Sequence, residues 1–218
     1  MRGSGMIHVV TAANRHLYEL QLHEQFRLRH DVYVGERGWK ALARADGLER
    51  DQFDNEDATY ILSIEGDHVI GGSRLVSTER PNLLSEVFPH LAVVGGVPCD
   101  PAIFEWTRIF VIKARREGGN AGRAAGTVIC GILEFCLAEG IEALSAVMET
   151  WWLPRFHDMG WTIKPLGLPE MIDGGWTIAV LMPITKQTLD TTRAFHSIEA
   201  PVLVRRGPQR PAITEVWS

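Results

Sequence analysis

Cysteine is scarce in this 218-residue sequence: Cys99, Cys130 and Cys136 stand alone, with no C-x-x-C pair. That speaks against a disulfide framework or a thiolate metal site and points to a reducing, cytoplasmic setting. Long apolar runs are missing too. The most hydrophobic helical stretch, AAGTVICGILEFCLA, is too short for a bilayer and carries Glu134, so no membrane span is expected. MIHVVTAANRH lacks the apolar core of an export signal, and the preceding MRGSG reads as an expression-tag remnant. Positive charge is not in surplus. Lys and Arg number 22 against 27 Asp and Glu, a formal net charge of −5, which argues against a general nucleic-acid binder. Zinc-ligand spacing is absent as well: His16, His23 and His30 recur every seventh residue, about 10.5 Å apart along a helix, too far to share a metal. No metal is expected, and no helix pair of the DNA-reading kind is evident.

The hydrophobic share, 45%, is enough for one well-packed core, here a single domain over residues 6–218. Asn14 is placed to cap a helix reaching about residue 34, with Leu17, Leu20, Phe26 and Val32 facing inward. GERGWKALARADGLERDQFDNED reads as a functional loop, since Trp39 and Phe53 are poor choices for a disordered spacer. TYILSIEGDHVIGGSRLVS predicts an antiparallel hairpin turning at Gly66-Asp67. A loop with a short helical turn follows, then a strand over 103–112, a helix over 121–139 and a strand over 142–149. Next come a short helix over 151–158 and strands over 161–164 and 175–183. The tail from 185 is unassigned, with RRGPQRP exposed and loosely ordered. This order predicts an α/β sandwich with a mixed sheet and helices on both faces.

Polar islands interrupt these apolar elements: Arg29 with Tyr33 and Trp39, Asp51 and Asp54 in DQFD, Arg74 in the hairpin, and Glu105, Thr107 and Arg108 in EWTR. Buried charge is costly unless paired or serving a site, so these groups are expected to meet in one crevice. Side chains alternate along a strand, which would send Glu105 and Arg108 to opposite faces. A β-bulge near Trp106 or Thr107 would bring both to one cleft. Residues 116–121 match the R-x-x-G-x-A spacing of acetyl-CoA-binding loops in GNAT acyltransferases, and their glycine-rich turn before a helix suits a phosphate.

In order and spacing, LRHDVYVGERGW, DQFD, SRLVSTERPNLL and EWTRIFVIKAR resemble the motifs of the LuxI-type N-acyl-homoserine-lactone synthases, the autoinducer synthases of quorum sensing. The resemblance runs from about residue 7 to 183. It implies a GNAT-like three-layer α-β-α sandwich with a mixed, mainly antiparallel sheet. It also implies that S-adenosylmethionine is acylated on its amine by an acyl thioester and then lactonised, releasing methylthioadenosine. No prosthetic group is implied.

Carried over residue by residue, Arg29, Tyr33, Trp39, Asp51, Asp54 and Arg74 form the S-adenosylmethionine and cleft network. Glu105, Thr107 and Arg108 are the catalytic set, with Glu105 taking a proton from the amine, through water. Trp106, Ala146, Met148, Trp151, Trp152 and Phe156 form the acyl pocket; the bulk of the other five, with Ala146 where synthases for 3-oxo chains often have threonine, favours a short branched or aryl acyl-CoA, such as isovaleryl-CoA, over acyl carrier protein. Lys113, Arg115, Arg116 and Arg123 would meet coenzyme A phosphates or an acidic carrier protein. Small-molecule substrates are the expected partners, without nucleic acid or membrane. Two other readings are open: a GNAT-type N-acyltransferase acting on another amine without lactone formation, and a regulator that binds its ligand without turnover.

Overall fold

The computed structural model describes residues 5–116 and 122–213. Among these described residues nine strands form one mixed sheet: β1 (Met6–Val10), β2 (Thr59–Glu65), β3 (His68–Ser77), β4 (Ile103–Val111), β5 (Ala143–Glu149), β6 (Lys164–Pro165), β7 (Glu170–Ile172), β8 (Gly175–Pro183) and β9 (Leu203–Val204). Their order is β6-β8-β5-β4-β3-β2-β1-β9, with β7 also on β8. The β1–β9 and β4–β5 pairs are parallel and the others antiparallel.

The helices are α1 (Glu19–His30), α2 (Leu83–Glu86), α3 (Arg123–Glu139), α4 (Trp152–Asp158) and α5 (Lys186–His196). On one face of the sheet, α3 buries an apolar side against Ile7, Leu75 and Phe104, and α5 packs on α3. The other face carries α1, its π-helical continuation over Asp31–Glu36, and α2. The expected α-β-α layering and mainly antiparallel sheet are both present. No helix among the described residues is long and apolar enough to cross a membrane.

Local chemistry explains most boundaries. The β2–β3 hairpin turns at Gly66, whose φ of 61° is left-handed, a conformation glycine adopts without a Cβ clash. A capping box of Asn82 and Ser85 starts α2, and α3 stops at Gly140, a left-handed cap with φ 73°.

Several elements differ from the sequence reading. Asn14 does not cap α1, because its side chain is used elsewhere: it accepts from Thr11 N–H and donates to the carbonyls of Val9 and Arg206. Leu20 is 81% exposed while Gln25 and Arg29 are buried, so α1 turns a polar side inward. Of the expected strand over 161–164, only Lys164 is in a strand, the two-residue β6. Within residues 185–213 the tail forms α5 and β9: Glu134 on α3 accepts from the N–H groups of Val202 and Leu203, and Leu203 and Val204 pair with β1. Most of the R-x-x-G-x-A match, residues 117–121, lies outside the described residues.

Two irregularities in the sheet create the site. The β3–β4 register steps from Gly72↔Phe110 to Arg74↔Thr107, so Arg108 and Ile109 together face Ser73. This is the expected bulge, one to two residues further along, with Arg108 at a left-handed φ of 56°. Beside it, β4 and β5 pair over Ile103–Glu105 and Ala143–Ser145, and their ladder ends there. Beyond, they part and leave a gap through the sheet.

Gly131 of α3 lies where an added Cβ would stand 2.5 Å from Ile7 Cγ2 and 2.9 Å from Ile7 Cβ. Helix propensity alone favours alanine in a helix interior, but this contact is with a β-branched core residue. Gly131→Ala is therefore expected to destabilise by about 1–3 kcal/mol, read as a lower Tm; a raised Tm would mean that α3 moves aside freely.

Candidate active site

Three arginines from three elements meet three carboxylates of the 44–57 loop. Arg29 on α1 donates Nε to Glu49 Oε2 at 2.6 Å and both Nη groups to Asp54 at 2.8 and 2.9 Å. Arg74 on β3 grips Asp51 with both Nη groups at 2.5 and 3.1 Å, lies 3.0 Å from Asp54 Oδ2, and donates Nε to Thr107 Oγ1 at 3.1 Å. Arg108 reaches Glu49 at 3.1 Å and Asp51 at 2.9 Å. Thr107 and Arg108 are sequence neighbours yet join the same network, which the bulge permits.

The network balances its own charge, and its members are almost completely buried. Burial works to raise the Asp54 and Glu49 carboxyls, but Arg29 with Arg74, and Arg29 with Arg108, overcome it and hold both below the usual carboxylate range. Burial likewise opposes the charge on Arg29 and Arg74, and the facing carboxylates more than restore it.

In front of the network lies a cavity of about 430 Å³ that continues through the gap between β4 and β5. On the network side it is lined by Asp51, Thr107 and Arg108, with Tyr33, Trp39 and Phe53 as aromatic walls. Tyr33 stacks on Trp39 at 5.2 Å and is held by its hydroxyl, which donates to Ile109 O at 2.7 Å. Across the gap the lining is Trp106, Ala146, Met148, Trp152 and Phe156, almost wholly apolar. Size and lining both fit an organic ligand site with a few placed charges.

Not every expected residue reaches this space. Arg29, Asp54 and Arg74 stand behind the wall and act through Asp51 and Arg108. Glu105 is fully buried, its carboxylate accepting from Leu83 N–H at 2.9 Å and Leu84 N–H at 2.6 Å, and burial pushes its pKa up despite those two donors. It sits one residue behind the lining, since Leu83 itself faces the cavity. Trp151 is not in the wall: it is 42% exposed and stacks on the outer side of Trp152, with Arg155 over its ring. The basic set lies apart from the cavity: Lys113 is exposed, Arg115 pairs with Glu65 and Arg116 with Glu36, and Arg123 starts α3.

Glu49 was not foreseen. Three buried guanidinium groups against Asp51 and Asp54 leave one positive charge over, and that imbalance was the available signal for a third acid in GLERDQFD. Arg37 was also missed; it covers Tyr33 and Trp39 at 5.4 and 5.6 Å and faces Glu149 at 3.5 Å at the cavity wall.

Comparison with known proteins shows the family. The profile of the autoinducer synthase family matches residues 13–191. The chain belongs to the autoinducer synthases. Among relatives of this family, the isovaleryl-homoserine lactone synthase of Bradyrhizobium diazoefficiens is 48% identical over 95% of this chain and 93% of its own. An acyl-homoserine-lactone synthase of Rhizobium radiobacter is 30% identical over 78% and 81%. The solved structure of a CoA-dependent acyl-homoserine lactone synthase, BjaI, with SAM and isopentyl-CoA superposes with a TM-score of 0.90 at 47% identity, covering 96% of this chain and 97% of that one. That of MesI, also CoA-dependent, gives 0.82 at 43% identity, over 90% and 98%. This autoinducer synthase therefore has the GNAT-like fold of its relatives.

Asp54 and Glu49 release their protons more readily in the fold than in an open chain, so the unfolded state binds protons first as pH falls. Their stabilising contribution is complete above the ordinary carboxylate range, about pH 4 to 4.5, and drains away below it. Asp54→Asn, which leaves the buried network with one positive charge over, is expected to cost about 3–5 kcal/mol at neutral pH. Its Tm should also fall less steeply than wild type below about pH 4; thermal melts across pH check both, and parallel curves would contradict the assignment.

Proposed function

We propose that this autoinducer synthase makes an acyl-homoserine lactone from S-adenosylmethionine and an acyl thioester, with a short branched acyl-CoA, isovaleryl-CoA in particular, as the preferred donor. The observation that carries the reading is the single cavity through the sheet, charged and aromatic on one side of the gap and apolar on the other. S-adenosylmethionine is a cation carrying a carboxylate and an ammonium; aromatic faces at Tyr33 and Trp39 suit the sulfonium, and Arg108 and Asp51 suit the two charged ends. The opposite chamber suits an acyl chain, and its wall of Trp106, Trp152 and Phe156 favours a short one. The isovaleryl relative and the BjaI complex support the same donor.

The reaction then follows from the chemistry of the two substrates. The methionyl ammonium must lose a proton before its nitrogen can attack. Glu105 is the proposed acceptor, through water: its carboxylate has acceptor sites beyond the two that Leu83 and Leu84 occupy, and burial raises its proton affinity. The amine attacks the thioester carbonyl, the C–S bond breaks, and coenzyme A leaves as its thiol. Backbone N–H groups on the parted edges of β4 and β5 would bond the developing oxyanion. The methionyl carboxylate next displaces the sulfonium from carbon, closing the lactone and freeing neutral methylthioadenosine; holding both ends of one molecule lowers the entropic cost. Lys113, Arg115, Arg116 and Arg123 are proposed as outer contacts for coenzyme A phosphates, or for an acyl carrier protein should one deliver the chain. A cytoplasmic setting, with no nucleic-acid or membrane partner, completes the reading.

Purified protein given S-adenosylmethionine and isovaleryl-CoA is expected to release methylthioadenosine and isovaleryl-homoserine lactone in equal amounts. A panel of acyl-CoA and acyl carrier protein donors should give isovaleryl-CoA the highest kcat/KM; a long-chain carrier-protein donor in first place would contradict the choice. Glu105→Gln should fold and bind S-adenosylmethionine yet lose about 100-fold or more in kcat, and wild-type turnover would remove Glu105 from proton transfer.

A further inference from the structure

Trp106 belongs to the apolar chamber through its ring and to the bulged strand through its backbone. The ring packs edge-on to Phe156 at 5.7 Å and against Trp161 at 6.0 Å. A buried indole N–H needs an acceptor, and Trp106 Nε1 finds Ser73 Oγ at 2.7 Å. Ser73 Oγ donates its only proton to Thr107 O at 2.8 Å. Ser73 is buried, does not line the cavity, and is the β3 residue that faces the two-residue bulge of β4. With its proton committed to Thr107, the hydroxyl meets the indole only as an acceptor. One oxygen therefore fixes both the tilt of the Trp106 ring and the carbonyl just before Arg108.

We propose that Ser73 is a positioning residue for acyl selectivity: by holding the tilt of Trp106 it sets the depth of the apolar chamber and ties that depth to the bulge. The proposal rests on the cavity being the S-adenosylmethionine and acyl-CoA site. Without the hydroxyl the indole N–H is buried and unpaired, a state costly enough to turn the ring toward another acceptor. The chamber wall moves with the ring, short branched chains lose contact, and longer chains gain room.

The test is kcat/KM for isovaleryl-CoA and octanoyl-CoA, with S-adenosylmethionine saturating, in wild type, Ser73→Ala, Trp106→Phe and the double variant. Ser73→Ala should lower the isovaleryl-to-octanoyl ratio by about tenfold or more, the scale of pocket discrimination between chains, with more of the change in KM than in kcat. In the Trp106→Phe background, which has no N–H to hold, the same substitution should change the ratio by less than about twofold. Ser73→Cys, similar in size and a weaker acceptor, should fall between wild type and Ser73→Ala, and serves if alanine prevents folding. A Ser73→Ala or Ser73→Cys ratio equal to wild type, or an equal alanine effect in both backgrounds, overturns the proposal. Wild-type protein that releases no methylthioadenosine with either acyl-CoA overturns the functional reading itself, and this inference with it; that result is seen before any variant is compared.

Discussion

Arg29, Arg74 and Arg108 come from a helix and two strands, and none of them could be buried alone. A desolvated guanidinium without a partner costs several kcal/mol, and removing one member of such a set leaves another stranded at about 3–5 kcal/mol. Glu49, Asp51 and Asp54 come from one loop and answer all three charges. The loop is thus clamped to α1, β3 and β4 together, and Phe53 within it and Trp39 just before it take their places at the cavity. Charge matching is what makes a long polar segment behave as a wall.

The second constraint is in the sheet. Two parallel strands that pair for three residues and then part leave an opening, and the neighbouring bulge decides which side chains enter it. Arg108, the one arginine of the three that faces the cavity, carries the strain of a non-glycine residue at positive φ. Such strain persists only where the surroundings determine it. Here they do, through two carboxylates on the side chain and Ser73 on the preceding carbonyl.

Much of this was legible beforehand. Charges inside apolar runs, as in VIGGSRLV and EWTRIFV, pointed to a shared crevice, and Arg29, Arg74, Arg108, Asp51 and Asp54 do converge. Alternation along β4 made a bulge the way to bring Glu105 and Arg108 to one cleft; a bulge exists a residue or two downstream, and Glu105 stays just behind the lining. What could not be read depends on tertiary context. Leu20 was assigned inward because helical periodicity assumes an apolar core, whereas this helix turns Arg29 toward an ion network. Glu49 is hidden among the eight charged residues of its loop, and only the three-dimensional pairing singles it out. Trp151 and Trp152 are adjacent and alike, yet one lines the cavity and the other stacks outside it, a choice made by where α4 begins. The tail looked loose because the partners that order it, such as Glu134, lie far back in the chain.

Glu49 gives the most direct test, because it holds Arg29 and Arg108 without touching the cavity. Isothermal titration of S-adenosylmethionine into Glu49→Gln, alongside its Tm, separates a shaping network from a passive one. The network account predicts a lower Tm together with affinity weakened by about tenfold or more, equivalent to about 1.4 kcal/mol. Wild-type affinity in a protein of wild-type stability would contradict it.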